Sequence, residues 1–196
     1  MKTTNFVIEI LITGFQVVIW MALIILSVFG YDWVKITSEE LLSLTFFATI
    51  VSYPLGVVFD NVWGHLAEKI DRPIRKEYFR EPDKLHGIRI KIFSANRNMA
   101  EFTEYIRSRM RVARASFYNF SLITLTSAVF IITQLGDIDT ALKKKLFLFV
   151  VISGASLTFL AFNVYKKLVH TYYNQLSVIN KEFSTRISEN SLDSEE

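Results

Sequence analysis

The chain has 196 residues, of which 51% are hydrophobic and 21% charged, and its net charge is +3. It contains no cysteine, which excludes disulfides, a catalytic thiol and a zinc site with cysteine ligands. We expect one membrane domain with a small polar part, because this length leaves no room for a large separate enzyme domain.

Four long segments without Asp, Glu, Lys or Arg dominate the sequence. They are Ile10–Tyr31, Leu41–Phe59, Ala115–Gly136 and Leu146–Tyr165. A helix rises about 1.5 Å per residue, so that about 20 apolar residues cross a hydrocarbon layer of about 30 Å. The sequence therefore predicts an all-α integral membrane protein with four transmembrane helices.

Lysine and arginine lie mostly on one side of these segments. If both termini are inside, the inner side holds 18 of these residues and the outer side holds four. The segment Asp60–Arg114 between the second and third spans contains 13 of them. Because basic residues stay on the cytoplasmic side during insertion, we expect both termini and this segment in the cytoplasm, with the spans in a bacterial inner membrane.

The sequences next to three of the spans continue a helical pattern, with apolar residues at steps of three and four. We therefore expect the helices to continue into a cytoplasmic helical stalk. The predicted parts are a transmembrane hairpin (1–59), a basic cytoplasmic segment (60–114), a second transmembrane hairpin (115–165), a coiled-coil-like helix (166–187) and an acidic tail (188–196).

The coiled-coil-like helix has an apolar seam of almost three heptads, which predicts self-association. The predicted oligomerisation residues are Val169, Tyr172, Leu176, Ile179 and Phe183. The alternative is a monomeric helical bundle in which the same seam packs within one chain.

The stretch Arg72–Arg97 in the basic segment carries eight basic and three acidic residues, with two prolines and one glycine. Within it, residues 88–92 alternate between isoleucine and a basic residue, which predicts a short β-strand with one apolar and one basic face. A lone strand leaves its backbone groups unpaired, so either another subunit completes it or the strand does not form.

The basic side chains of this stretch are candidates for binding a nucleotide or oligonucleotide, because arginine contacts phosphate through two parallel hydrogen bonds. The candidate ligand-binding residues are Arg75, Lys76, Arg80, Lys84, Arg89 and Lys91. The alternative is that the charges orient the chain and attract anionic lipid headgroups. That alternative is favoured for the arginines between Arg107 and Arg114, which adjoin the third span.

Polar residues form stripes on the spanning helices, and most of them fit ordinary helix packing. Glu9 and Gln16 are the better candidates for a pore lining in an oligomer, because their groups are larger and harder to satisfy by packing.

The second span contains Pro54 and Gly56, and a proline within a helix removes one backbone hydrogen bond and kinks it. A kink beside Asp60 and Asn61 predicts a gate hinge, and the alternative is a static kink.

Recognised enzyme motifs are few. Arg80 and His86 match the spacing of the Arg-x4–6-His motif of HEPN ribonucleases, a short pattern that arises often by chance. The sequence has no nucleophile elbow, no zinc-protease motif and no phosphate-binding glycine loop. We therefore expect no enzymatic activity, no metal and no cofactor.

The layout of the chain resembles that of small four-span effectors of bacterial anti-phage defence, including those of cyclic-oligonucleotide systems and the channel-like partner in Hailong-type systems. The similarity lies in the short outer loops, in the stretches Tyr53–Gly56 and Phe59–Asp60, and in the arginine-rich entry to the third span. The resemblance implies an oligomer that disrupts the membrane potential when triggered. It also implies control by a nucleotide ligand and a nucleotidyltransferase as functional partner.

We therefore expect an oligomeric channel or pore-forming effector that is gated by an anionic cytoplasmic ligand. Its expected partners are membrane lipids, further copies of the chain and a nucleotide or oligonucleotide. One alternative is a non-conducting membrane adaptor that docks a cytoplasmic protein through its stalk. The other is a membrane-anchored ribonuclease that uses Arg80 and His86.

Overall fold

The computed structural model describes residues 3–31, 34, 37–79, 87, 97–136 and 138–192, with side chains between 6 and 181 in these ranges except at 38, 39, 97 and 98. Four helices form this part of the chain: α1 (Thr3–Phe29), α2 (Ser38–Tyr78), α3 (Arg97–Gln134) and α4 (Thr140–Leu192). The described residues contain no strand. The strand predicted at 88–92 lies outside them.

All four helices are long and apolar enough to cross a membrane, which confirms the four predicted spans. α1 has 27 residues, whereas α2, α3 and α4 have 41, 38 and 53. At about 1.5 Å per residue, the last three helices are roughly 57 to 80 Å long, well above the hydrocarbon thickness of about 30 Å. Each of these three helices therefore continues without a break beyond its uncharged segment.

The surface of the spans is covered by large apolar side chains. Leu42, Phe46, Phe47, Phe149 and Phe159 are each more than 60% exposed. Apolar exposure of this extent is typical of contact with lipid, and the helices satisfy their backbone hydrogen bonds internally, as a bilayer requires.

Local sequence signals set the helix ends. Thr37 and Glu40 form a capping box at the start of α2, where the Thr37 amide donates to Glu40 Oε2 at 2.8 Å. α4 begins directly after Asp139, whose carboxylate accepts from the Ala141 amide, so Asp139 caps this helix. α1 ends before Gly30, which has a φ of 78° and adopts this left-handed conformation without strain.

α1 lies between α2 and α3 and packs against both, and α4 packs on α3. The α1–α2 crossing is close because small residues face the partner backbone. A Cβ atom added at Gly14 would overlap the backbone of Ser52, and one added at Gly56 would overlap that of Ile10. Small residues at such crossings let two membrane helices approach closely enough for good van der Waals packing.

From the ends of the uncharged segments onward, α2, α3 and α4 pack together in what we call the three-helix extension. Its apolar core consists of Ala67, Ile74, Phe79, Ile106, Ala113, Tyr165, Val169, Tyr172, Tyr173, Leu176 and Ile179. α1 contributes no residue to this core. The extension is thus a compact bundle continuous with the spans.

After the second span, the helical pattern in the sequence has apolar residues at Phe59, Val62, Trp63, Leu66 and Ile70, and the buried stripe of α2 differs in part from this pattern. Trp63 is buried, whereas Val62 and Leu66 of the same apolar pattern are about 40% exposed. Ala67 is fully buried instead, because a small side chain lets the neighbouring helices approach at that position.

Candidate functional site at the junction of the spans and the extension

A layer of polar and charged side chains lies where the uncharged segments meet the extension. We call this layer the junction, and it consists of Glu9, Asp60, Asp71, Ser108, Arg111, Arg114 and Tyr165. Its members come from all four helices. They form three linked contacts, each of which joins a different pair of helices.

The first contact joins α3 to α2 through Arg114 and Asp60. Nη2 of Arg114 lies 2.7 Å from Oδ1 of Asp60 and also donates to the Asp60 carbonyl oxygen at 3.3 Å. The side chains are 17% and 25% exposed, so the pair is largely shielded from solvent. Gly64 faces the guanidinium, where an added Cβ would lie 3.3 Å from Nη1. The glycine therefore leaves space for the arginine between the helices.

The second contact joins α3 to α1 through a carboxylate that accepts from two donors. Arg111 Nη2 lies 3.1 Å from Glu9 Oε2, and the Ser108 hydroxyl donates to Glu9 Oε1. The Arg111 guanidinium also lies over the ring of Phe6, at 5.1 Å from its centroid. Glu9 is thus neutralised within the chain.

The third contact joins α4 to α2, where the Tyr165 hydroxyl donates to Asp71 Oδ1 at 2.5 Å. Asp71 lies 12 residues beyond Phe59, outside the uncharged segment of α2. Burial raises the pKa of Asp71, whereas the hydrogen bond from Tyr165 and the charges of Arg114 and Arg75 act to lower it. The hydrogen bond therefore holds the Asp71 carboxyl group in place, while burial disfavours its ionised form.

A polar seam continues from the junction into the spans between α1 and α3. The Gln16 amide donates to the Ser116 hydroxyl at 3.2 Å and accepts from the amide of Asn119 at 3.1 Å. The Trp20 indole also donates to Asn119 at 3.2 Å, and Asn119 is fully buried. Near the opposite membrane face, Gln134 donates to the carbonyl of Ser27 at 2.7 Å. These contacts satisfy polar groups that would be costly in hydrocarbon.

The two predicted pore-lining residues lie on α1 and form hydrogen bonds with α3 of the same chain. Glu9 bonds to Ser108 and Arg111, and Gln16 bonds to Ser116 and Asn119. The sequence indicated that these groups are harder to satisfy by packing, whereas α3 supplies matching donors and acceptors at the same depth. Both side chains are partly buried and make their hydrogen bonds within the chain.

The predicted hinge residues have separate environments. Pro54 lies within the continuous helix α2 with its side chain exposed, whereas Gly56 is buried against α1. Asn61 is exposed, and its amide donates back to the Val57 carbonyl at 3.1 Å. Asp60 alone among these residues belongs to the junction, through Arg114.

Two of the six predicted ligand-binding residues are described. Arg75 and Lys76 lie in the last turn of α2, where cations interact favourably with the negative end of the helix dipole. Lys76 is exposed and Arg75 is half-buried. Arg80, Lys84, Arg89 and Lys91 lie outside the described residues, as does His86 of the predicted ribonuclease motif.

The predicted oligomerisation seam is part of the core of a single chain. Val169, Tyr172, Leu176 and Ile179 are each at most 6% exposed and pack against α2 and α3. The side chain of Phe183 lies outside the described ones. The position of the four described residues matches the alternative of a bundle within one chain, because their faces are already covered by the extension.

Sequence reasoning missed Arg111, Arg114, Asp71 and Tyr165 as a connected group. A usable signal was present, since Asp60 directly follows one uncharged segment and Arg114 directly precedes another. Because one connecting segment joins the second and third spans, the charges that border these two spans at its ends lie on the same side of the membrane and at a similar depth. The contact between Tyr165 and Asp71 gave no such signal, because it depends on the packing angle of α4.

The described part of the chain has no group of three or more His, Cys, Asp or Glu residues arranged to hold a metal ion. Comparison of the chain with models of protein families, with curated proteins and with solved structures gives no match.

Proposed function

We propose that the protein is a membrane effector in which an anionic cytoplasmic ligand acts on the connection between α2 and α3 and changes the packing of the spans. The responding state is an ion-conducting oligomer in the inner membrane of a bacterium. We also propose that this conduction depolarises the membrane during anti-phage defence, because the layout of the chain resembles that of the four-span defence effectors.

The junction is the observation that supports the proposal. α2 and α3 run unbroken from the basic connection into the membrane, and their ion pair Asp60–Arg114 lies at the boundary. A ligand that moves the end of α2 toward or away from the start of α3 therefore changes the distance between Asp60 and Arg114. Arg111 and Glu9 pass the same displacement to α1, which has no part in the extension core.

The proposed orientation has both termini in the cytoplasm, and it follows from the distribution of basic residues. A reporter that is active only in the periplasm, fused after Glu196, should be silent, and the same reporter inserted in the loop between α3 and α4 should be active. The reverse pair of results would place the basic segment between α2 and α3 in the periplasm, where it could not bind a cytoplasmic ligand.

The function is tested by ion flux from liposomes that contain the purified chain. Short oligonucleotides added to the cytoplasmic face should change the flux of the wild type. The variant with Arg89→Glu and Lys91→Glu should lose this response, and the response should weaken steeply with salt because phosphate neutralisation releases counterions. The matched control, Lys143→Gln with Lys144→Gln, changes two basic residues at the opposite end and should respond like the wild type.

A non-conducting membrane adaptor is the second candidate, and one observation favours it. The large polar groups of α1 are bonded within the chain, which leaves Glu9 and Gln16 unavailable to line a pore in this arrangement. An adaptor predicts no flux with or without oligonucleotide, together with retention of a cytoplasmic protein by the extension. Flux that depends on oligonucleotide would exclude it.

A further inference from the structure

A groove lies on the membrane side of the bundle, on the face of α3 between α1 and α4. Both helices pack on α3, but within the described residues they do not contact each other. The groove between them has a volume of about 630 Å³, within the range of about 300–1,000 Å³ that is usual for small-molecule sites.

The groove has two chemically different ends. Its inner part is apolar and lies within the uncharged segments, with Phe120 on α3 and Leu157, Leu160 and Ala161 on α4. Its mouth, on the side of the extension, carries Tyr105, Ser108 and Arg109 from α3 and Glu9 from α1. An occupant must therefore combine a long apolar part with a polar or charged end.

The charge at the mouth favours an anion. Arg109 is exposed, lies over the ring of Tyr105 at 4.6 Å, and has no carboxylate partner among the described side chains. The Glu9 carboxylate is neutralised by Arg111 and by the Ser108 hydroxyl. The mouth therefore keeps one positive charge that no described group compensates.

The groove crosses the start of the uncharged segment of α3 at Ala115. Arg109 lies six residues before Ala115, which corresponds to about 9 Å along the helix axis, and Phe120 lies five residues after it, at about 8 Å. A molecule with its charged end at Arg109 and its apolar part against Phe120 and Leu157 therefore has its charge outside the uncharged segments and its apolar part inside them, as a lipid of the adjoining leaflet does.

We propose that this groove binds one phospholipid with an anionic headgroup, whose phosphate contacts Arg109 and whose acyl chain lies along Phe120, Leu157 and Leu160. The site does not depend on ion conduction and is separate from the nucleotide site proposed above. It gives the chain a preference for anionic lipids at a defined position, beyond the general attraction of basic residues to a membrane surface.

The test places the full chain in nanodiscs of equal parts phosphatidylglycerol and phosphatidylcholine, followed by native mass spectrometry of the lipid retained by the released protein. The wild type should retain one phosphatidylglycerol per chain. Arg109→Gln should lower the preference for phosphatidylglycerol about fivefold, the effect expected from one basic residue at the surface. Lys166→Gln is the matched control, because Lys166 adjoins the fourth span on the side of α4 opposite Val164 and the groove.

Two further variants test the apolar part. Ala161→Trp should fill the groove and abolish retention of either lipid. Leu160→Ser changes a side chain that is 59% exposed, so it should leave the fold intact and weaken retention. Circular dichroism checks that each variant is folded.

Three results would overturn the proposal. The first is equal retention of the two lipids by the wild type, and the second is wild-type retention by both groove variants. The third is displacement of the lipid by glycerol phosphate, which would show a site for phosphate alone. If the second result came with a change in the assembly mass of Ala161→Trp, the groove would be assigned to a second copy of the chain.

Discussion

Arg114 of α3 and Asp60 of α2 form an ion pair of 2.7 Å where the spans meet the extension, and both side chains are mostly buried. One turn earlier on α3, Arg111 pairs with Glu9 of α1 at 3.1 Å. Two arginines on adjacent turns of one helix thus hold two different helices. Any rotation of α3 therefore changes both pairs at once, so the junction ties the positions of α1 and α2 to that of α3.

The contribution of the Asp60–Arg114 pair to stability can be measured directly. We expect Asp60→Asn and Arg114→Gln each to lower the free energy of unfolding by about 2 kcal/mol, because each leaves a shielded charge without its partner. Thermal unfolding in detergent, combined with the double variant, gives the coupling energy between the two residues. Arg72→Gln is the control, since Arg72 and Glu68 form an exposed pair one helical turn apart. A similar loss in the control and in Arg114→Gln would contradict the role of burial.

Two substitutions of Asp71 should have different effects on the free energy of unfolding. Asp71→Ala leaves the buried hydroxyl of Tyr165 without its acceptor and should cost about 1–3 kcal/mol. Asp71→Asn keeps an acceptor and removes a charge that burial disfavours, so it should be neutral or stabilising at pH 7.

The pKa of Asp71 also sets a direction for the pH dependence. Burial raises this pKa above its value in the unfolded chain, so the folded state holds the proton more tightly. The contribution of this group to stability is therefore greatest below the unfolded pKa and is lost as the pH rises through the folded pKa. The free energies of unfolding of the wild type and of Asp71→Asn, measured as a function of pH, should converge at acidic pH and separate at neutral pH. Parallel curves across that range would contradict the raised pKa.

The sequence was sufficient to predict the four spans and the continuous helices, because these depend on charge-free length and local periodicity. Ile10–Tyr31, for example, cannot be buried in a small soluble domain, and α1 covers all of it except the last two residues. The partners of Glu9 and Gln16 were beyond this reasoning, because they depend on which face of α3 turns toward α1. Periodicity marked Leu176 as buried but did not distinguish packing within a chain from packing between chains, since both use the same seam.

The α1–α2 crossing should be sensitive to one added methyl group. Gly14→Ala places a Cβ where the backbone of Ser52 lies, and a backbone cannot move aside as a flexible side chain can. We expect a loss of about 1–3 kcal/mol, the usual cost of overpacking. Gly136→Ala is the control, because no atom lies within 4 Å of a Cβ at that position. If thermal unfolding in detergent shows equal stability for the two variants, the helices do not approach as closely as described.

Leu176 separates the two interpretations of the seam on α4. The side chain is 1% exposed within the single chain, so Leu176→Ala should lower the free energy of unfolding by about 2–5 kcal/mol. Val178, two residues further along the same helix, is 44% exposed, and Val178→Ala should change stability by less than about 1 kcal/mol. Under conditions where both variants stay folded, size-exclusion chromatography should give them the same assembly mass as the wild type, because neither substitution removes a contact between chains. Dissociation of the assembly in Leu176→Ala, with unfolding unchanged, would show instead that this seam joins subunits and that the extension core opens to form the oligomer.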